Sequence, residues 1–281
     1  MEKWNLIIDV EKCENCNNCV LATKDEHIGN DFPAYAAPMP AHGHEWIKIK
    51  RRVRGATPMV DVAYLPVTCN QCDKAPCVAA AKDGCVSKRA DGIVIIDPVK
   101  ARGRRDLVDS CPYGAIWWNE ELKLPQKWIF DAHLLDKGWK EPRCTQACPT
   151  GAMQAMKVGD EEMRALAESQ KLEVLNPGLG TQARVYYKNL FRWSKSFIGG
   201  SVTAQIKGVT ECVADAKVTV FKNDRQVAEA KTDIFGDFKI DRLEPKSGVY
   251  ELKVTHAQHG SAMTNATVDE SIYLSHIALS K

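Results

Sequence analysis

From residue 201 onward apolar and polar positions alternate with a period of two, in Val202-Thr203-Ala204-Gln205-Ile206, Ala216-Lys217-Val218-Thr219-Val220-Phe221, Phe238-Lys239-Ile240 and Tyr250-Glu251-Leu252-Lys253-Val254. Period two puts alternate side chains on one face of a strand, and turn residues punctuate these runs, so 201–281 reads as an all-β sandwich of about seven strands. The stretch 161–200 has a different texture. Asp160-Glu161-Glu162-Met163-Arg164-Ala165-Leu166 offers an N-cap candidate, acids in a first turn and apolar residues three apart, which predicts a short helix. Val185 to Trp193 then mixes aromatic and basic residues and ends at Gly199-Gly200, and reads as a linker that docks. Residues 1–160 form the remaining domain.

That first domain carries the chemistry, since ten of the eleven cysteines fall between Cys13 and Cys148. Two triples stand out: Cys13-x2-Cys16-x2-Cys19, and Cys69-x2-Cys72-x4-Cys77. Bacterial two-cluster ferredoxins use C-x2-C-x2-C-x3-C-P, where three thiolates hold one 4Fe-4S cluster and the fourth, before proline, serves the other. The spacing is short because three thiolates must converge on one face of a cube. The fourth position is Thr23 in one triple and Ala81 in the other, while two isolated pairs, Cys111-Pro112 and Cys148-Pro149, supply what is missing. Three plus one, twice, predicts two 4Fe-4S clusters on Cys13, Cys16, Cys19, Cys69, Cys72, Cys77, Cys111 and Cys148, with the sharing of the two Cys-Pro thiols left open.

The alternatives fit less well. Zinc favours two C-x2-C pairs forming a tetrahedral four, and disulfides favour an exported chain. The first ten residues contain no signal-type apolar segment, so the expected compartment is cytoplasmic, although an exported partner could carry the chain across. Cys85, Cys144 and Cys212 read as buried apolar thiols.

Counting back from Cys111 by ferredoxin intervals lands on Ala101, Arg104 and Leu107; counting back from Cys148 lands on Cys144, with the earlier pair near Trp128 and Asp131. Four motifs thus predict two working clusters, each lost site having forfeited both its triple and its distant fourth ligand. Arg102, Arg104 and Arg105 are expected to fill one lost site with salt bridges. Gly114-Ala115 and Gly151-Ala152 follow the surviving Cys-Pro pairs, as expected where backbone passes close to a cube.

Composition narrows the partners. Lys and Arg number 38 against 36 Asp and Glu, which leaves no global field for nucleic acid or an anionic membrane, and no segment is apolar enough to insert in a bilayer. The basic run Lys48, Lys50, Arg51, Arg52, Arg54 reads as a solvated face or a cluster-tuning patch, His42-Gly43-His44 as a packing loop, and Trp117, Trp118 and Trp128 as core. No catalytic nucleophile, acid-base pair or phosphate loop is present, so the expected catalytic residues in this chain are none.

Thr232 to Phe238 with Gly248-Val249-Tyr250 makes the sandwich resemble the transthyretin-like type, a structural or docking module. The four-motif layout, with Ile95-Ile96-Asp97-Pro98, Ser110 to Ala115 and Cys144-x3-Cys148-Pro149, resembles the iron-sulfur subunit of molybdopterin oxidoreductases of the dimethyl-sulfoxide-reductase family over roughly residues 1–157. With the stretches Asp25-Glu26-His27, Gly92 to Asp97, Ala132 to Asp136 and Arg184 to Leu190, the likeness extends along nearly the whole chain to that family's polyphenol transhydroxylase and hydroxylase branch. The resemblance implies an α+β chain: a ferredoxin-like domain with two pseudo-repeats, then the sandwich. It implies cluster one on Cys13, Cys16, Cys19 and Cys148, and cluster two on Cys69, Cys72, Cys77 and Cys111. A third cluster of the family would map onto Thr23, Trp128, Asp131 and Cys144, of which three cannot be thiolates, so the electron wire between the survivors is interrupted. It further implies a large catalytic subunit, in a heterodimer or multimer of heterodimers, that alone holds molybdenum and molybdopterin guanine dinucleotide. The expected function is hydroxylation or transhydroxylation of a polyphenol in anaerobic aromatic degradation; the rival reading is an electron-transfer subunit of an anaerobic respiratory molybdenum reductase.

Overall fold

A computed structural model describes all 281 residues, which divide into two compact units: Met1–Lys50 with Tyr64–Leu190, and Arg51–Ala63 with Phe191–Lys281. No helix is long and apolar enough to cross a membrane.

In chain order the first unit comprises β1 (Lys3–Asp9), α1 (Asn18–His27), the outer parts of β2 (Ile47–Ala56) and β3 (Met59–Thr68), α2 (Pro76–Ala80), β4 (Val86–Lys88), β5 (Val94–Ile96), α3 (Asp106–Asp109), β6 (Trp117–Asn119), β7 (Leu124–Gln126), α4 (Ala132–Leu135), α5 (Arg143–Gln146), β8 (Met153–Val158), α6 (Asp160–Ser169) and β9 (Val185–Lys188). Its elements are short, because the cysteine-bearing loops interrupt them. The main sheet has order β8-β1-β9, with β1 antiparallel to β8 and parallel to β9; β4 with β5 and β6 with β7 form two small hairpins.

Two sequence expectations change here. Val185 to Lys188 is a strand of this sheet rather than a docking linker: Val185 and Tyr187 are fully buried on alternate positions, and the Tyr187 hydroxyl donates to the Pro66 carbonyl at 3.0 Å. Helix α6 forms where the sequence places it, but Gly159 is its N-cap, and Asp160 instead pairs with Lys3 at 2.8 Å and with Arg184.

The second unit contains the tip of the β2–β3 hairpin, α7 (Phe191–Ser194), β10 (Ser196–Ile206), β11 (Val209–Cys212), β12 (Lys217–Lys222), β13 (Arg225–Lys231), β14 (Asp237–Leu243), β15 (Gly248–His256), β16 (Gly260–Val268) and β17 (Ile272–Leu279). One sheet runs β11-β10-β14 with β17 parallel to β10; the other runs β13-β12-β15-β16. Along β15, Tyr250, Leu252 and Val254 are buried while Glu251 and Lys253 are exposed, and Val218, Val220, Val202 and Ile277 join the same core. Each such side chain contributes about 1.5–3 kcal/mol on full burial. Gly199 and Gly200 lie inside β10 rather than ending a linker, because a Cβ there would collide with the Met59 sulfur at 2.3 Å and with the Phe238 ring at 3.0 Å.

The basic run is not a solvated face at Arg54. Its side chain is fully buried, pairs with Asp61 and with Asp241 at 2.9 Å, and lies over the Phe197 ring. Cys212 also departs from expectation, being exposed, since all four residues of the edge strand β11 are.

Candidate iron-sulfur centres

The first x2 loop of each motif needs a sharp backbone corner, and the structure places it at the third residue of that loop in all four motifs. The third residue of Cys13-x2-Cys16 is Asn15, at φ 58°; the third residue of Cys69-x2-Cys72 is Gln71, at φ 47°. The two motifs without their cysteines keep the corner. Gly103, third in Ala101 to Arg104, has φ 79°, and Phe130, third in Trp128 to Asp131, has φ 57°. A bulky aromatic residue in the left-handed region is an outlier that local sterics do not favour. Four loops thus share this corner, although the sequence has cysteines in only two of them.

The fourth ligands arrive on matching turns. The Gly114 amide donates to the Cys111 carbonyl at 3.0 Å and the Gly151 amide to the Cys148 carbonyl at 3.3 Å, each glycine at φ 63°. A Cβ at either glycine would meet no other protein atom within 4 Å, so the turn's positive φ accounts for the glycine without any crowding by protein.

The eight predicted thiols collect into two quartets. Cys13, Cys16, Cys19 and Cys148 act on one another electrostatically, as do Cys69, Cys72, Cys77 and Cys111. None is in a disulfide. Cys19, Cys69, Cys72 and Cys77 are buried, Cys13, Cys111 and Cys148 half-buried, and Cys16 exposed. Burial, with neighbouring thiols adding to it, pushes Cys19 and Cys77 up to about 12 and Cys72 to about 11. Sulfur in such surroundings becomes thiolate only when a metal supplies the compensating charge. No three His, Cys, Asp or Glu side chains converge tightly enough for one metal ion. A cubane holds each thiolate on a different iron and does not need them all on one ion, and the donor set of four cysteines per quartet fits two 4Fe-4S clusters.

The second quartet has a positive environment that the sequence reading missed. Lys127 is buried, its ammonium donates to the Val94 and Trp128 carbonyls, and it acts as a positive charge on Cys77 and Cys111. Lys88 donates to the carbonyls of Gln71 at 3.0 Å and Cys72 at 2.9 Å. Gln71 itself is buried, its amide oxygen accepting from the Val94 amide at 2.8 Å and its nitrogen donating to the Trp128 carbonyl at 3.1 Å. Lys127 stands beside a degenerate motif, which was the available signal.

The degenerate motifs are filled with protein. Helix α1 runs through Thr23, whose hydroxyl donates back to the Cys19 carbonyl at 2.9 Å, and continues to His27. His27 Nε2 lies 3.1 Å from Asp131, and the same carboxylate accepts from the Trp128 indole at 3.3 Å and the Arg143 amide at 2.8 Å. Cys144, fully buried, is close enough to feel both Asp131 and Cys19. The other position is apolar: Ala81, Ala101, Leu107 and Cys85 are buried together with Val86, Ile116 and Leu124. Of the three arginines expected to fill it, Arg104 does so from the rim, pairing with Asp83 and with Asp106 at 2.8 Å and reaching the Cys85 sulfur at 3.5 Å. His44, from the histidine pair, is buried beside Trp117 and donates to the Trp118 carbonyl at 3.0 Å.

Comparison with known proteins agrees with this geometry. A 4Fe-4S dicluster domain matches residues 60–158. The pyrogallol hydroxytransferase small subunit of Pelobacter acidigallici is 42% identical over 99% of this chain and 100% of its own length. The chain belongs to that small-subunit family. More distant members of the wider group include the arsenate respiratory reductase iron-sulfur subunit of a Shewanella strain, 26% identical over 67% of this chain and 97% of its own, and a tetrathionate reductase subunit of Salmonella typhimurium, 29% identical over 67% and 73%. Iron-sulfur subunits of redox enzymes recur among these relatives, and this chain is the iron-sulfur small subunit of such an enzyme.

Proposed function

We propose that this chain holds two 4Fe-4S clusters, cluster one on Cys13, Cys16, Cys19 and Cys148 and cluster two on Cys69, Cys72, Cys77 and Cys111, and supports a large molybdopterin subunit that moves or adds a hydroxyl group on a polyphenol. The observation that carries the reading is the contrast between two quartets of free thiols and two cluster-type loops packed solid with His27, Asp131 and Trp128 on one side and Ala81, Ala101 and Leu107 on the other. Bound on the quartets, the clusters supply one-electron storage. The protein's own residues position them: Asn15 and Gln71 turn the loops, Gly114 and Gly151 aim the fourth thiols, and Lys88 and Lys127 offset negative charge at cluster two.

Transfer of a hydroxyl between ring positions leaves the overall oxidation state unchanged, so it tolerates a break in the path between clusters. Sustained respiration does not. The reaction centre, with molybdenum and molybdopterin guanine dinucleotide, belongs to the partner in this reading; this chain is non-catalytic and cytoplasmic, and its transthyretin-like second unit serves as a docking module. The test is to purify the complex with its large subunit and assay polyphenol hydroxyl transfer with and without an added electron acceptor. Turnover without acceptor supports the reading. Turnover that strictly requires one favours the respiratory or hydroxylase alternative.

A further inference from the structure

Of the two protein-filled motifs, one is apolar and the other can change its charge. Asp131 is fully buried, and its carboxylate accepts three N–H groups, from His27, Trp128 and the Arg143 backbone. Among these partners only His27, itself 1% exposed, can gain or lose a proton. A buried carboxylate without an arginine or lysine on it gains much from a proton shared with an imidazole.

The pair stands close to cluster one. Cys19, Thr23 and His27 are the buried residues of α1, at intervals of four, so His27 lies about 12 Å along the helix from Cys19. Cys144 lies between, feeling charge at both Cys19 and Asp131. Toward solvent the pair is flanked by a second histidine and a carboxylate. Glu26, 15% exposed, lies 2.8 Å from His133 Nε2; the His133 and His27 rings meet edge-on at 5.3 Å; and the Nδ1 atoms of both histidines are buried without a partner. Buried ring nitrogens left unpaired are costly unless they serve a purpose.

We propose that the His27–Asp131 pair is a proton site that takes up one proton from water, through Glu26 and His133, when cluster one takes up one electron. The inference rests on the assignment of cluster one to Cys13, Cys16, Cys19 and Cys148. The electron comes from the partner's molybdenum centre or another low-potential one-electron donor, and the proton from solvent, so the net charge of the region is unchanged by reduction. The other ionisable groups facing the pair are Glu26 and Asp25 on α1, His133 on α4, and Arg143 and Cys144 on α5. Arg143 is held by Glu26 at 2.7 Å and Asp25 at 2.8 Å, and burial pushes His133 below its ordinary value and Cys144 well above its own, so neither competes as the resting charge. Trp46 and Phe32 close the remaining sides with uncharged rings.

The test is an EPR-monitored redox titration of the dithionite-reducible clusters in the whole complex at several pH values, with iron and sulfide measured on the same samples. One of two reduction waves should fall by about 59 mV per pH unit, the one-electron equivalent of tenfold in proton concentration, while the other stays flat. In His27→Gln, which keeps a donor for Asp131, that slope should vanish with iron content unchanged; Asp131→Asn is the second variant if His27→Gln loses iron. A full complement of iron with no slope in the native complex, or a slope that survives both substitutions, overturns the proton site alone. Fewer than two clusters per chain overturns the cluster assignment itself.

Discussion

The Gly84 amide donates to the Ala81 carbonyl at 2.9 Å with Gly84 at φ 73°, which is the turn Gly114 makes on Cys111, with alanine where the cysteine would be. The backbone that presents a fourth ligand has outlived the ligand. Restoring the thiol alone therefore restores nothing, because Ala101, Arg104 and Leu107 provide no triple. Ala81→Cys is expected to leave iron per chain unchanged. It should cost about 1–3 kcal/mol, because Ala81 is 4% exposed in a packed core and a larger side chain overfills it. Iron analysis and chemical denaturation check both parts, and a gain of about four irons contradicts the account.

Removing Asp131 tests the filling of the other position. Asp131→Ala leaves the His27 imidazole, the Trp128 indole and the Arg143 amide without their buried acceptor. The expected loss is about 3–5 kcal/mol. A thermal shift near zero would mean that the network contributes no stability.

Lys127 is expected to tune cluster two. Its positive charge acts on Cys77 and Cys111 inside the protein, and Lys127→Met removes it while keeping the aliphatic stem. At an effective dielectric near 20 and about 10 Å, a unit charge is worth roughly 1–2 kcal/mol, so one of the two reduction potentials should drop by tens of millivolts. The other should stay in place, as should the iron count.

In the second unit, burial works against the Asp61 charge, but hydrogen bonds from Arg192 and Arg54 and the charge of Lys239 hold its carboxyl well below the ordinary 3.8. A lowered value in the folded state means the stabilisation is complete above 3.8 and is lost only as pH falls toward the folded value. Asp61→Asn should therefore destabilise, by about 1.5–3 kcal/mol because the fully buried Arg54 loses one of its two carboxylates and keeps Asp241, and the gap to the native chain should be constant between pH 5 and 8. Melting temperatures across that range check it, and a gap that narrows above pH 5 contradicts it.

The two cysteine triples and the two Cys-Pro pairs were legible in the spacing, since the intervals that set a cubane's ligands are local in sequence. The degenerate motifs were legible as well, because Trp128, Asp131, Ala101 and Leu107 fall on ferredoxin intervals. What spacing does not carry is what fills a lost site. His27 and Asp131 are 104 positions apart, and Lys127 reaches Cys77 and Cys111 only through the fold. The sandwich strands announced themselves through period-two alternation. Strand β9 obeys the same rule, with Val185 and Tyr187 inward, but its four residues and basic neighbours read as a linker. Arg54 was misread for a related reason: of its two carboxylate partners Asp61 lies seven positions away but Asp241 lies 187, so its burial depends on the fold.

Iron and acid-labile sulfide per chain test the central claim most directly. Two clusters on eight cysteines predict about eight of each, falling to about four in Cys77→Ser. About twelve of each would mean that a third cluster occupies the space assigned to His27, Asp131 and Trp128, and zinc in place of iron would contradict the account altogether.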